Sequence, residues 1–334
     1  MATVARLGNV LREKRAVIVR QEIFGALNEE PETRRALQES IGPVCWPILW
    51  VEGAGAGGSP LAGIHTMAVA DAAVESIEVK GRVVGRTFSD GDARHVLLGD
   101  LRPDDLTQPR PVQAERVFEN LEGALHQSGM IFANLARTWL FLDDILAWYG
   151  PFNKVRTEFF QQRRALDHLV PASTGIGARN PAGAALVAGA WAAKALNNTF
   201  TVREIPSPLQ GTPRSYGSAF ARAVELVSGG LRRLLISGTA SITKDGHSAH
   251  PGDIRGQVDL TLNVVRAILA SRGMDFADAT RVTAYVKHPH DAPVFDAWLV
   301  EQELRAWPVI TTPATICRDD LLFEVELDAV STTR

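Results

Sequence analysis

Cysteine is nearly absent: of 334 residues only Cys45 and Cys317 carry a thiol. Two sulfurs so far apart exclude a disulfide framework and a cysteine-built zinc site, and they suit a reducing compartment. Excess positive charge is also missing, since 35 Lys+Arg against 38 Asp+Glu leave −3. No broad basic field therefore marks a nucleic-acid or anionic-membrane partner, and any anionic ligand must be met by locally placed arginines. No apolar run is long enough to span a membrane. The nearest, Pro181 to Leu196, is alanine-rich, short and interrupted by Lys194. Arg6, Arg12, Glu13, Lys14 and Arg15 leave no apolar core for a signal peptide.

Nucleotide and serine-nucleophile signatures are lacking too: there is no Walker loop, no Gly-rich dinucleotide fingerprint and no Gly-x-Ser-x-Gly elbow. The eight histidines form only short-range pairs, His247/His250 and His288/His290, with no carboxylate at a zincin spacing. The expectation is a soluble, cytoplasmic protein without metal or cofactor, and without nucleic-acid or membrane partners.

What is present is ample core material, 46% hydrophobic residues, enough for two or three domains. Residues 1–92 read as an N-terminal unit with strands at Ala16–Val19 and Ile48–Val51, and a polar helix from Glu29 to Ser40. The rest contains a repeat. His95–Leu101 and Arg233–Thr239 are buried strands, each followed by a helix marked by Val117, Leu121 and Leu125 or by Leu260, Val264 and Ile268. Both helices run to a Gly-Met pair, Gly129-Met130 and Gly273-Met274, and then to strands at Arg137–Leu142 and Arg281–Val286, 144 residues apart. Second helices follow near 152–164 and 292–305. Pro171-Ala172 and Pro313-Ala314, 142 apart, read as matching turns that close each copy. A β-α-β-α-β unit is an α+β layer. Units at 1–92, 93–200 and 201–334 suggest three like bodies around a pseudo-threefold axis, with sites in the clefts between them.

Chemistry concentrates near the C-terminus. In Phe323-Glu324-Val325-Glu326-Leu327-Asp328 the apolar residues alternate with carboxylates, which sorts them onto opposite faces of a strand. Two readings stay open: a solvated acidic edge, or carboxylates covered by a second domain, in which case the Glu324 pKa rises. Only the last copy carries this acid; the central one instead offers Gly175-Ile176-Gly177-Ala178-Arg179. Arg214, Tyr216 and Arg222 form a cluster suited to a dicarboxylate, because the guanidinium fork grips carboxylates in pairs. Tyr149, Asn153 and Arg156 repeat that chemistry on one helical face.

Leu235-Ile236-Ser237-Gly238-Thr239-Ala240-Ser241, Tyr285-Val286-Lys287 and Pro313-Ala314-Thr315-Ile316-Cys317 resemble the YjgF-like (Rid) fold, a trimer of small α+β units. Rid imine deaminases carry an arginine two residues before that cysteine, where this chain has Thr315. Over residues 45–330 the chain is more similar to the chorismatases, which fuse three such units. That similarity rests on Ser173–Arg179, Tyr216–Phe220, Ser237–Ala240 and the Cys317/Glu324 pair.

The resemblance implies a cofactor-free site between the central and C-terminal units. Glu324 would protonate the enolpyruvyl methylene of chorismate, and Arg156, Arg179, Tyr149, Tyr216, Arg222 and Gly238 would hold the substrate. Ala240 and Cys317 match the members that form 3-hydroxybenzoate; some relatives also release 4-hydroxybenzoate. Hydrolytic members, which give 3,4-dihydroxycyclohexa-1,5-diene carboxylate, carry small residues at both positions. A Rid-type deaminase and a non-catalytic aromatic-acid binder are the alternatives. A monomer with an internal pseudo-trimer is expected rather than a homotrimer.

Overall fold

Two stretches of the chain each fold into a six-stranded sheet of the same strand order. The computed structural model describes residues 2–55, 57–213 and 218–333. The N-terminal unit comprises α1 (Ala2–Lys14), β1 (Ala16–Gly25), α2 (Glu30–Ile41), β2 (Ile48–Glu52) and β3 (Leu61–Ala70). The central unit comprises β4 (Glu75–Val79), β5 (Arg82–Ser89), β6 (Ala93–Leu101), α3 (Arg110–Gln127), β7 (Leu135–Leu142), α4 (Ile145–Gln162), β8 (Ala172–Gly177) and β9 (Leu186–Ala195). The C-terminal unit comprises β10 (Thr201–Ile205), β11 (Ala223–Ser228), β12 (Leu231–Ala240), α5 (Ile254–Ala270), β13 (Ala279–Val286), α6 (Ala292–Glu301), β14 (Val309–Pro313) and β15 (Phe323–Thr332).

The central strand order is β4-β5-β6-β9-β7-β8, and the C-terminal order β10-β11-β12-β15-β13-β14 repeats it strand for strand. The N-terminal sheet, β2-β1-β3, keeps only the last three strands of that pattern. The architecture is α+β, with three mixed sheets among the described residues. No helix among them is long and apolar enough to cross a membrane.

Each sheet has one helix-covered face. In the C-terminal unit Val258, Leu262, Val265 and Leu269 of α5 share a core with Phe323, Val325 and Leu327 of β15. The Asp253 side chain accepts from Gly256 N–H and caps that helix. The opposite sheet faces of all three units meet in a common interior that contains Phe24, Phe141 and Tyr285.

Two sequence expectations need correction. The expected boundary at 92/93 falls between hydrogen-bonded neighbours: β4 and β5 pair into the central sheet, so that unit starts near Glu75. The Pro-Ala turns are not equivalent either. Pro171-Ala172 opens β8, whereas Pro313-Ala314 closes β14. Strand register puts Ser173 opposite Thr138 and Val309 opposite Val282, an offset of 136. It is eight less than the 144 before it because α4 has 18 residues and α6 has 10.

Candidate active site

The site begins with β15. Phe323, Val325 and Leu327 point to the helices, so Glu324, Glu326 and Asp328 face the neighbouring units. Of the two readings left open by the alternation, the structure takes the covered one: Glu324 is 5% exposed and Glu326 fully buried.

Glu326 is held by ion pairs to Arg137 and Arg281, each 2.6 Å, and accepts from Thr174 Oγ1. Burial alone would raise its pKa, but the two guanidiniums and the hydroxyl hold it well below the usual carboxylate range. Glu324 lacks such a pairing. Burial, and then the charge on Glu326, push it up to about 8 against the pull of Arg222 and Arg137. Adjacent carboxylates on one face thus hold opposite protonation states at neutral pH, the arrangement that assigns an acid.

The backbone opposite is shaped to admit that acid. Ala240 and Tyr285 flank Glu324 on β12 and β13. The β12 register slips by one residue between Ile236 and Thr239, and this bulge releases Gly238 N–H to donate to Thr174 Oγ1 at 3.0 Å. A Cβ on residue 238 would overlap Glu324 Oε1. Glycine is required there for carboxyl room.

The central unit supplies the facing wall through α4. Pro151 lies inside this helix and Trp148 is non-helical (φ −147, ψ 15), so its first turn is broken from the rest. Beyond the break Tyr149, Asn153 and Arg156 share one side. Arg156 donates to Asn153 Oδ1 at 2.7 Å, and Tyr149 lines the same cavity as Asn153 and Cys317. Burial, with Glu324 adding, raises the Cys317 thiol to about 12. Burial likewise raises Tyr149. Both stay protonated, and Cys317 is therefore a wall rather than a nucleophile.

These groups, with Ser173, Gly175, Ser218, Phe220, Arg222, Ile242 and Arg318, line a cavity of about 190 Å³. Arg156 and Arg222 are both buried and each lies 5.8 Å from the Phe220 ring centroid. Arg222 donates to Gly211 O at 3.1 Å and Arg318 to Gly246 O at 2.8 Å. Three guanidiniums thus share one small cavity with one protonated carboxyl.

Of the expected site residues, Glu324, Cys317, Ala240, Arg156, Tyr149, Arg222 and Gly238 are brought together. Tyr216 lies outside the described residues. Arg179 is not in the cavity. Its side chain is 63% exposed and pairs with Glu52 of the N-terminal unit, donating from Nε at 2.7 Å. The cause is a two-hydrogen-bond bridge between Gly177 and Thr315 (2.7 and 3.0 Å) that closes the cleft at the end of β8, so the chain beyond it continues outside. Arg318 escaped sequence reasoning because, in a short connection after Cys317, no periodicity shows where it faces. Ser173 and Phe220 lie within the Ser173–Arg179 and Tyr216–Phe220 motifs, but nothing in those motifs marks them as cavity-lining.

No family model and no curated protein matches the chain. A chorismatase crystal structure matches over 93% of this chain and 92% of its own, with TM-score 0.65 and 19% identity. At that identity the likeness is one of fold. A putative endoribonuclease L-PSP from Entamoeba histolytica (17% identity, TM-score 0.34) and E. coli TdcF with bound serine (19%, 0.31) each match over 39% of this chain, covering 100% and 99% of their own.

Proposed function

We propose that the protein cleaves chorismate to a hydroxybenzoate and pyruvate, with Glu324 as the general acid. The observation that carries this reading is the buried, protonated Glu324 facing Arg156 and Arg222 in one inter-unit cavity. The full-length likeness to a chorismatase supports it.

In the proposed reaction the Glu324 proton forms a C–H bond at the enolpyruvyl methylene, and the ether carbon becomes an oxocarbenium ion. Such protonation needs a carboxyl still loaded at neutral pH, which burial provides. Arg156, Arg222 and Arg318 meet the substrate carboxylates, and Tyr149 orients them. We assign 3-hydroxybenzoate as the main product. Ala240, Ile242 and Cys317 belong to one apolar cluster, a wall that excludes an attacking water and leaves the substrate's ring hydroxyl to displace pyruvate. Chorismate then divides into hydroxybenzoate and pyruvate with no water consumed, whereas the hydrolytic route takes up one.

Incubation with chorismate, chromatography of the aromatic products and a pyruvate assay test this directly. Equimolar pyruvate and 3-hydroxybenzoate are expected; absence of pyruvate release overturns the reading. Cys317→Ala should divert a measurable share of product to the dihydrodiol, and an unchanged ratio would remove the wall argument.

A further inference from the structure

Three arginines occupy matching positions around the pseudo-threefold axis. Gln21 N–H and Val282 N–H each donate at 3.0 Å to a proline carbonyl just before the parallel neighbour strand, Pro47 and Pro308. This aligns Arg20 of β1 with Arg281 of β13. Arg137 of β7 aligns with Arg281 through the same cross-strand register. All three guanidiniums gather on the Trp139 ring, at 3.8, 5.3 and 5.3 Å from its centroid. Beside them lies a second cavity of about 270 Å³ that shares no residue with the one around Glu324. Its wall is drawn from all three units: Arg20 and Met67, Trp139 and Trp191, Arg233 and Arg281.

The wall sets three guanidiniums, of Arg20, Arg233 and Arg281, among mostly apolar residues. Among the described residues its one carboxylate is Asp328, 3.6 Å from Arg281 Nη1. Behind it Glu22 and Glu326 are occupied by Arg20, Arg137 and Arg281. Asp90 acts on Arg233 from a distance, across Ser228, whose hydroxyl donates to it. Burial raises Asp328 above its ordinary value against the pull of Arg281 and lowers His65 well below its usual range, so that it stays uncharged. Four guanidiniums, of Arg20, Arg137, Arg233 and Arg281, thus face three nearby carboxylates, of Glu22, Glu326 and Asp328. Arg20 Nε, Arg281 Nε and Nη1, and Trp139 Nε1 make no hydrogen bond among the described residues, which is costly for buried donors. Around this charge the tryptophans, Met67 and Leu235 provide flat apolar surface.

We propose that this axial cavity is a second ligand site, for a small aromatic monocarboxylate. The guanidiniums would take the carboxylate, and the tryptophan and methionine surfaces the ring. The inference stands apart from the proposed reaction, which uses the other cavity.

Calorimetric titration of the full chain with benzoate, alongside acetate and inorganic phosphate, tests it. Benzoate should bind saturably and at least tenfold more tightly than either comparator. Arg233→Met, at the half-buried margin, should weaken benzoate at least tenfold, and Met67→Trp, which fills the cavity, should abolish binding. Arg222→Met, in the other cavity, should leave this binding in place. Thermal unfolding of each variant checks that it is folded. The proposal is overturned if benzoate binding disappears in Arg222→Met yet persists in the two axial variants. Phosphate binding as tightly as benzoate, or no saturable binding at all, overturns it equally.

Discussion

Strands β9 and β15 hold the same place in two sheets of identical order, yet their inner faces carry opposite chemistry. Cross-strand register matches Val187 with Glu324, Gly189 with Glu326 and Trp191 with Asp328. The central set packs into the shared apolar interior. The C-terminal set is buried but carboxylic, and borrows Arg137 and Thr174 from the central unit to hold Glu326 ionised. The fold fixes where a strand's inner face lies. Whether that face becomes core or site depends on what the neighbouring unit offers to it.

The sharpest way to break this contrast is Glu324→Gln. It removes the proton while keeping the shape, so pyruvate release from chorismate should fall roughly 10²–10⁴-fold with substrate affinity preserved. An active variant would reduce β15 to a scaffold. Next in size is Arg137→Ala, which takes from the buried Glu326 one of its two arginine partners. Removing one partner of such a pair costs about 3–5 kcal/mol, and denaturant unfolding should show it. A loss under about 1 kcal/mol would mean that the polar face needs no support from its neighbour.

The two carboxylates should also separate on a pH axis. Activity that needs protonated Glu324 should hold below its folded pKa of about 8 and decline above it. The linkage has the same sign. A carboxyl whose pKa is raised by folding binds a proton that the unfolded chain has released, so its stabilising contribution is full below the ordinary carboxylate pKa. That contribution is lost as pH rises to about 8. Glu324→Gln should therefore unfold at higher temperature than wild type at pH 9, by the equivalent of a few kcal/mol at about 1.4 kcal/mol per pKa unit. Equal melting temperatures at pH 9 would show that Glu324 is solvated.

The period-2 alternation from Phe323 to Asp328 made the strand and its two faces legible, because side-chain direction in a strand is local. Shielding was legible only as a condition, since the covering residues, Arg137 and Thr174, lie 187 and 150 positions before Glu324 in sequence. Arg156 and Tyr149 could be found because helical spacing places them on one face. The slip at the Pro-Ala turns and the misplaced boundary at 92/93 share a cause. Helix length and strand pairing are set by tertiary packing, and a repeat read as a constant offset cannot register either.

Arg179 offers the smallest effect and the finest test. It follows a glycine-containing motif directly beside the cleft, yet the Gly177–Thr315 bridge leaves it on the outside, paired with Glu52. An exposed pair of this kind contributes at most about 1 kcal/mol. Arg179→Ala should therefore leave kcat/KM for chorismate within twofold and stability nearly unchanged, whereas Arg156→Ala should lose at least tenfold in kcat/KM. A tenfold loss on Arg179→Ala would mean that the bridge opens when substrate binds and that the arginine swings inward. The central unit's share of the wall would then extend past the end of β8.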